Sequence, residues 1–188
     1  MNMARQNLNI YSEIISRCQK GDELAFTQLI NKFQHSLFTY LLRLSGDRGQ
    51  AEDLFQETLI RVWRYLPRYR HKNKFASWLF GIAHNVTIDA MRKQKVRDMI
   101  SYTADLPECR SSENADAPIM ADEIQREFEK VLQSLPQKQR QVFLLRQHSD
   151  MSFKEIAAVM HQPLNTVLSH MHYAASKLKQ ALSEKNVI

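Results

Sequence analysis

Apolar residues recur at intervals of three and four positions along most of the chain, a spacing typical of amphipathic helices. In the first half this spacing predicts four helices, over Ile10 to Cys18, Ala25 to Leu44, Gln50 to Leu66 and Phe75 to Arg97. Gly21, Gly46 and Pro67 stand where these patterns stop, as expected of residues that end helices. The β-branched run from Val86 to Ile88 favours a break within the fourth helix.

A segment without helical periodicity, residues 98–121, follows the fourth helix. It contains Pro107, Pro118, three serines and five acidic residues, a composition that predicts a flexible linker. Helical spacing returns at Asp122 and continues through the second half of the chain. The sequence therefore predicts an all-α protein with two small helical domains joined by an acidic linker.

The last two predicted helices are closely spaced, and the first of them is short. Ser152 and Glu155 have the spacing of a capping box, in which each side chain accepts a hydrogen bond from the other residue's backbone, so a helix should begin there. His161 and Gln162 are predicted to form a tight turn, and Pro163 to open the final helix. This order predicts a helix-turn-helix, whose second helix enters the major groove of DNA.

Composition and charge favour a helical protein with an anionic partner. The chain has only 4 Gly and 5 Pro among 188 residues, fewer than a β fold with many tight turns normally uses. The net charge is +6, and residues 1–97 carry 16 Lys and Arg against 8 Asp and Glu, whereas residues 98–121 carry 1 against 5. Nucleic acid is the first candidate for a partner of such a chain.

The residues give no support to an enzyme or a metal protein. Cys18 and Cys109 are far apart and no CxxC motif occurs, which argues against a disulfide framework or a cysteine zinc site. The seven histidines form no HExxH pair, and no glycine-rich phosphate loop is present, so we expect no catalytic residue, metal or cofactor. No signal peptide and no apolar run of the ~20 residues of a membrane span occur, so a cytoplasmic protein without membrane insertion is expected.

Three blocks of sequence together resemble the extracytoplasmic-function (ECF) sigma factors of bacterial RNA polymerase. The blocks that resemble region two of these proteins are AEDLFQET at 51–58 with VWR at 62–64, and FASWLFGIAHN at 75–85 with DAMRK at 89–93. The block that resembles region four is LPQKQRQV at 135–142 with SFKEIA at 152–157 and PLNTV at 163–167. The resemblance implies a non-catalytic specificity subunit with a region-two domain (1–97), a linker (98–121) and a region-four domain (122–188).

Core RNA polymerase is the first partner that the resemblance implies. The clamp coiled coil of its largest catalytic subunit is expected to contact Asp53, Leu54, Gln56 and Glu57. Asp53, Gln56 and Glu57 lie at spacings of three and four, so they share one face of the third predicted helix. An ordinary solvated helix face is the alternative interpretation.

Promoter DNA, double- and single-stranded, is the second implied partner. At the −10 element the resemblance implies contacts from Lys72, Lys74, Trp78, Asn85, Asp89, Arg92 and Lys93. Asn85 lies where the family captures a flipped-out base, and an amide can both donate to and accept from a base edge. Basic side chains suit phosphates, whereas Trp78 and Phe75 are expected to serve mainly in the core.

The −35 element is expected to contact the helix-turn-helix, through Pro163, Asn165, Thr166, Ser169, His170 and Lys177. The final helix departs from the family pattern, because uncharged residues or histidine stand where relatives often carry Lys or Arg, at Leu168, His170, Tyr173 and Ala175. We therefore expect weak non-specific attraction of this helix to phosphates.

A regulatory protein is a further partner that the resemblance implies. ECF sigma factors are commonly held inactive by an anti-sigma factor, so the resemblance implies such a partner, although no residue pattern here shows it. The family also implies that the acidic linker threads the channel that later holds RNA, whereas a plain tether is the simpler interpretation.

A helix-turn-helix repressor with a helical sensor domain is an alternative function that also fits the sequence. A repressor would bind its operator alone, whereas a sigma factor needs core polymerase.

Overall fold

A computed structural model describes residues 2–70, 74–101 and 119–183, and the side chains of 11–70, 74–99 and 124–183. Its helices are α1 (Asn2–Gln19), α2 (Glu23–Asn31), α3 (Gln34–Ser45), α4 (Arg48–Tyr65), α5 (Phe75–Ser101), α6 (Ile119–Ser134), α7 (Gln137–His148), α8 (Phe153–Met160) and α9 (Leu164–Ser183), with a 3-10 turn at Leu66–Arg68. These ranges contain no β-strand. The prediction of an all-α protein with two helical domains is confirmed.

Capping residues set several of the helix boundaries. Asp22 accepts a hydrogen bond from the backbone N–H of Ala25 (2.9 Å) and so begins α2. Asp47 begins α4 in the same way, through the N–H of Gln50 (2.7 Å). Gly46 ends α3 with a φ of 78°, in the left-handed region that favours glycine. These local signals agree with the boundaries that the sequence predicts there.

The prediction of one long helix from Ala25 to Leu44 is wrong. The chain leaves the helical path between α2 and α3, where the N–H of Phe33 donates to the carbonyl of Ile30 (2.8 Å). The Phe33 ring then lies against Tyr11 and Phe75, with centroids 6.1 and 5.4 Å away. Aromatic packing against α1 and α5 accompanies a break that no glycine or proline marks.

Helix α5 is longer and more regular than its sequence predicts. It has no break at Val86 to Ile88, and the Thr87 hydroxyl donates to the Ala83 carbonyl (2.9 Å), which satisfies this buried polar group within the helix. It continues to Ser101, inside the segment assigned to the linker, and α6 already begins at Ile119. The acidic residues of 102–118 lie outside the described residues.

The two groups of helices, α1–α5 and α6–α9, pack against each other. Helix α3 lies against α6 and α7, and α5 lies against α8. Arg43 on α3 pairs with Glu129 on α6 at 2.7 Å and approaches Nε2 of His148 at 3.4 Å. Lys74, just before α5, pairs with Glu155 on α8 at 2.7 Å. The resulting interdomain cleft lies beside the middle of α5.

Candidate polymerase and nucleic-acid interfaces

One exposed face of α4 carries the polar side chains predicted to bind polymerase. Asp53 and Gln56 are exposed and Glu57 is half-buried, so the three share a face open to a partner. Leu54 is only 7% exposed and belongs to the core, so we remove it from the predicted contacts. Ile60 is 54% exposed and continues the same face by one turn, an apolar addition that sequence analysis did not single out.

The predicted −10 residue Asn85 is exposed on α5 and lines the interdomain cleft, which has a volume of about 600 Å³. Asp89 and Arg92 line the same cleft one and two turns further along α5. Sequence analysis did not predict two other members of this lining, Arg61 from α4 and Lys138 from α7. Only the folded chain brings these cations beside Asn85, because they are distant from it in the sequence.

Lys74 and Trp78, also predicted at the −10 element, have partners inside the protein. The hydrogen bond from Lys74 is the main reason that the pKa of Glu155 lies at about 2, with hydrogen bonds from Ser152 adding to it. The Trp78 ring is half-buried, 4.8 Å from the ring of Tyr69. Arg92 and Lys93 are exposed on α5, and the predicted Lys72 lies outside the described residues.

A buried polar pair includes His84, the residue that precedes Asn85 on α5. The Tyr40 hydroxyl and Nδ1 of His84 are 3.1 Å apart, and both side chains are buried. Burial lowers the pKa of His84 from 6.5 to about 4, and the charges of Lys138 and His161 act in the same direction. Burial also raises the pKa of Tyr40. Both groups are therefore neutral near pH 7, and the folded chain excludes a proton that the unfolded chain accepts.

This exclusion predicts that acid destabilises the fold through His84. Its pKa is lower in the folded chain, so the unfolded chain binds more protons below about pH 6.5 and the free energy of unfolding falls as the pH falls towards 4. We expect His84 to contribute a loss of roughly 2 kcal/mol by about pH 5, measured by urea denaturation. His148, whose pKa burial also lowers to about 4, acts in the same direction. His84→Gln should therefore make this pH dependence less steep without abolishing it, whereas His172→Gln, at an exposed position on α9, should leave it unchanged. An equally steep dependence in the His84 variant would contradict the assignment.

The helix-turn-helix has the geometry that its sequence predicts. Ser152 and Glu155 form both hydrogen bonds of the capping box at the start of α8. His161 ends α8 with a φ of 51°, and its N–H bonds back to the last turn of the helix. His161 thus makes the tight turn with its backbone in the left-handed conformation, and α9 begins at Leu164.

The predicted −35 residues divide into two groups along α9. The first lies around the N-terminal end of the helix, where Pro163, Asn165 and Ser169 are exposed while Thr166 and His170 are half-buried. Lys177 lies near the other end, and its ammonium donates to the carbonyl of Ser134 at 3.5 Å.

The exposed surface of α9 also carries large apolar side chains. Leu168 is 40% exposed and Tyr173 is 60% exposed. Apolar side chains on a recognition helix can contact the methyl group of thymine, which a phosphate-binding cation cannot read. The uncharged residues that depart from the family pattern therefore lie on the outer surface of the helix.

The described ranges lack two other kinds of feature. No three His, Cys, Asp or Glu side chains there are grouped so that they could hold a metal ion. None of the helices there is long and apolar enough to cross a membrane.

Comparison with known proteins identifies both halves of the chain. The family model of sigma-70 region 2 matches residues 29–97, and that of sigma-70, region 4 matches residues 125–178. RNA polymerase sigma-H factor of Pseudomonas aeruginosa is 29% identical over 178 residues, which cover 90% of this chain and 92% of that protein. ECF RNA polymerase sigma factor SigW of Bacillus subtilis is 26% identical over 181 residues, covering 90% and 95%.

Two experimental structures have a similar fold. The sigma factor RpoE of Bartonella quintana, in complex with the anti-sigma factor NepR, has a TM-score of 0.68 at 24% identity and covers 84% of this chain and 96% of its own. CnrH in complex with the cytosolic domain of CnrY has a TM-score of 0.60 at 21% identity and covers 91% and 96%. At these identities the likeness concerns the fold.

Proposed function

This chain belongs to the ECF class of the sigma-70 family, and we propose that its two domains divide the work of that class between them. It binds core RNA polymerase and directs transcription initiation at specific promoters. In our assignment residues 1–97 form the region-two domain, 98–121 the linker and 122–188 the region-four domain. The chain serves as a non-catalytic specificity subunit in the cytoplasm, where bacterial polymerase and its promoters are found.

The contact with polymerase is assigned to the exposed face of α4. Asp53, Gln56 and Glu57 offer two carboxylates and an amide on one rigid helix, a suitable partner for basic and polar side chains of the clamp coiled coil. Ile60 adds an apolar side chain at the edge of this face. Protein interfaces commonly combine polar and apolar side chains, as this face does.

Recognition and melting of the −10 element are assigned to the exposed side chains of α5. Asn85 is placed to hydrogen-bond a flipped base through its amide, and Arg92 and Lys93 to bind phosphates. Lys74 extends the basic surface just before the helix, and we assign Lys72 to the same element from its position in the sequence. Trp78 is half-buried against Tyr69, so we assign it to support of this surface.

Recognition of the −35 element is assigned to the N-terminal end of α9. Pro163, Asn165, Thr166, Ser169 and His170 lie there, next to the turn that separates α8 from α9. We assign Lys177, which lies against the end of α6, to a secondary phosphate contact.

An anti-sigma factor is the regulator that we propose for this chain. One structure of similar fold holds a sigma factor together with the anti-sigma factor NepR. The exposed α4 face is the surface that such a protein must cover to exclude polymerase.

The observation that carries the proposed function is the ordered match of both sigma-70 regions, over residues 29–97 and 125–178. It is tested by a gel shift on promoters found by run-off transcription of native genomic DNA with the reconstituted holoenzyme. We expect a promoter-specific shift with core polymerase and none with the purified chain alone. A specific shift by the chain alone would favour the repressor, and failure to associate with core polymerase would exclude a sigma factor.

A further inference from the structure

Arg61 connects the proposed polymerase face to the proposed −10 surface. Its Nε donates to Oε1 of Glu57 at 2.6 Å, one turn earlier on α4. Its Nη1 donates to Oδ2 of Asp89 at 3.3 Å, across the contact between α4 and α5. The other carboxylate oxygen of Asp89 lies 3.9 Å from Nη1 of Arg92. Four alternating charges thus run from one functional surface to the other.

Asp89 lies close enough to Asn85 for its negative charge to affect the binding of nucleic acid there. Asp89 follows Asn85 by one turn of α5, so the two side chains lie on the same side of the helix, and both line the interdomain cleft. A carboxylate there repels the phosphates of any strand that reaches Asn85. In the folded chain the Asp89 carboxylate lies between two guanidinium groups, those of Arg61 and Arg92, which offset its charge.

Arg61 is suited by geometry and by charge to bind both carboxylates, those of Glu57 and Asp89. Its side chain is 28% exposed, less than those of Glu57 and Asp89, so it fills the space between the two helices while its partners remain accessible. The hydrogen bond with Glu57 and that with Asp89 both raise its pKa, which keeps the guanidinium charged. The planar fork of arginine bonds two carboxylates in fixed directions, which the single ammonium of lysine cannot reproduce.

We propose that Arg61 is a positioning residue for promoter opening, which offsets the charge of Asp89 beside Asn85 and fixes Glu57 on the polymerase face. This inference rests on the proposed function, because it concerns the surfaces assigned there. Arg61 acts through Asp89 and makes no contact with DNA itself. The cluster of Glu57, Arg61, Asp89 and Arg92 has no net charge, and loss of Arg61 leaves it with one excess negative charge.

The test compares Arg61→Met, Arg61→Lys, Asp89→Asn and the double variant Arg61→Met with Asp89→Asn, each in the reconstituted holoenzyme. Open-complex formation is followed by permanganate reactivity of unpaired thymines, on a promoter that the wild-type holoenzyme transcribes. We expect Arg61→Met to lower open-complex formation about tenfold, because the Asp89 carboxylate then faces the DNA phosphates without its compensating charge from Arg61. The double variant, whose cluster again has no net charge, should recover most of this loss, and Arg61→Lys should be intermediate.

The chain offers a matched control in Arg48 and Glu52. They form the same kind of pair on α4, four residues apart and 3.1 Å in length, without a third charged partner on α5. Arg48→Met should therefore leave open-complex formation unchanged. The urea midpoint is measured for every variant, and we expect little change, because Glu57 and Asp89 are accessible to water.

Each contrary outcome identifies a different error. If Asp89→Asn does not recover the loss and the salt dependence of binding falls by about one ion, Arg61 contacts a phosphate directly and the inference is wrong. If Asp89→Asn alone abolishes opening, Asp89 contacts DNA itself and the inference is also wrong. Wild-type opening by Arg61→Met refutes the inference alone, whereas failure of the wild-type chain to bind core polymerase refutes the proposed function.

Discussion

Replacing Asp53 with arginine is expected to weaken binding of core polymerase by at least about a hundredfold, because a buried interfacial charge then meets a partner of its own sign. Asp53 is exposed on α4, and no described residue forms a salt bridge with it. The change should therefore leave the free energy of unfolding almost unaltered. Competition of the variant with a fluorescently labelled wild-type chain for core enzyme measures the loss.

Glu13→Arg provides the control for this substitution. Glu13 is also exposed, and the substitution changes the net charge by the same amount, but it lies on α1 outside the proposed polymerase face. Its affinity for core enzyme should equal that of the wild type. If the two variants bound polymerase equally well, the α4 face would have to be replaced by another surface.

Replacing Asn85 with alanine is expected to lower open-complex formation by about ten- to a hundredfold, the effect of losing one bidentate contact with a base. Asn85 is exposed on α5, so removal of its amide leaves the core intact. A promoter fluorophore that responds to base unstacking measures the opening. The loss should be large on duplex promoters and smaller on templates already unpaired at the −10 element.

Arg92→Ala separates base recognition from phosphate binding. Arg92 is exposed on α5, and its loss should weaken binding to all promoters to a similar degree and reduce the salt dependence by about one ion. Asn85→Ala should instead leave the salt dependence unchanged. Unchanged opening by the Asn85 variant would remove the assignment of this amide to the flipped base.

Much of the fold follows from local signals that can be read in the sequence. Asp22, Gly46 and the pair Ser152 and Glu155 each satisfy backbone groups at a helix end, and such bonds depend on residues only a few positions apart. The exposed face of α4 was also predictable, because helical periodicity fixes which side chains share a side. The helix-turn-helix follows from the same two kinds of information.

Features that depend on tertiary packing could not be predicted in this way. The break before α3 is accompanied by aromatic contacts of Phe33 with residues on α1 and α5, and no local residue marks it. Leu54 has apolar spacing but stands among predicted contact residues, and only its burial separates the two interpretations. The pairing of Arg61 with Asp89 joins residues 28 positions apart, which no helical spacing indicates.

Because Lys74 is bonded to Glu155, a carboxylate of the second domain competes with DNA phosphate for one ammonium group of the first domain. A phosphate binds Lys74 more tightly in molecules where Glu155 has moved away, because the carboxylate then no longer repels it. The dissociation constant measured for a phosphate at Lys74 therefore rises as the fraction of molecules in that open form falls. Glu155, which also helps to cap α8, thus influences the occupancy of the proposed nucleic-acid surface on the other domain without belonging to it.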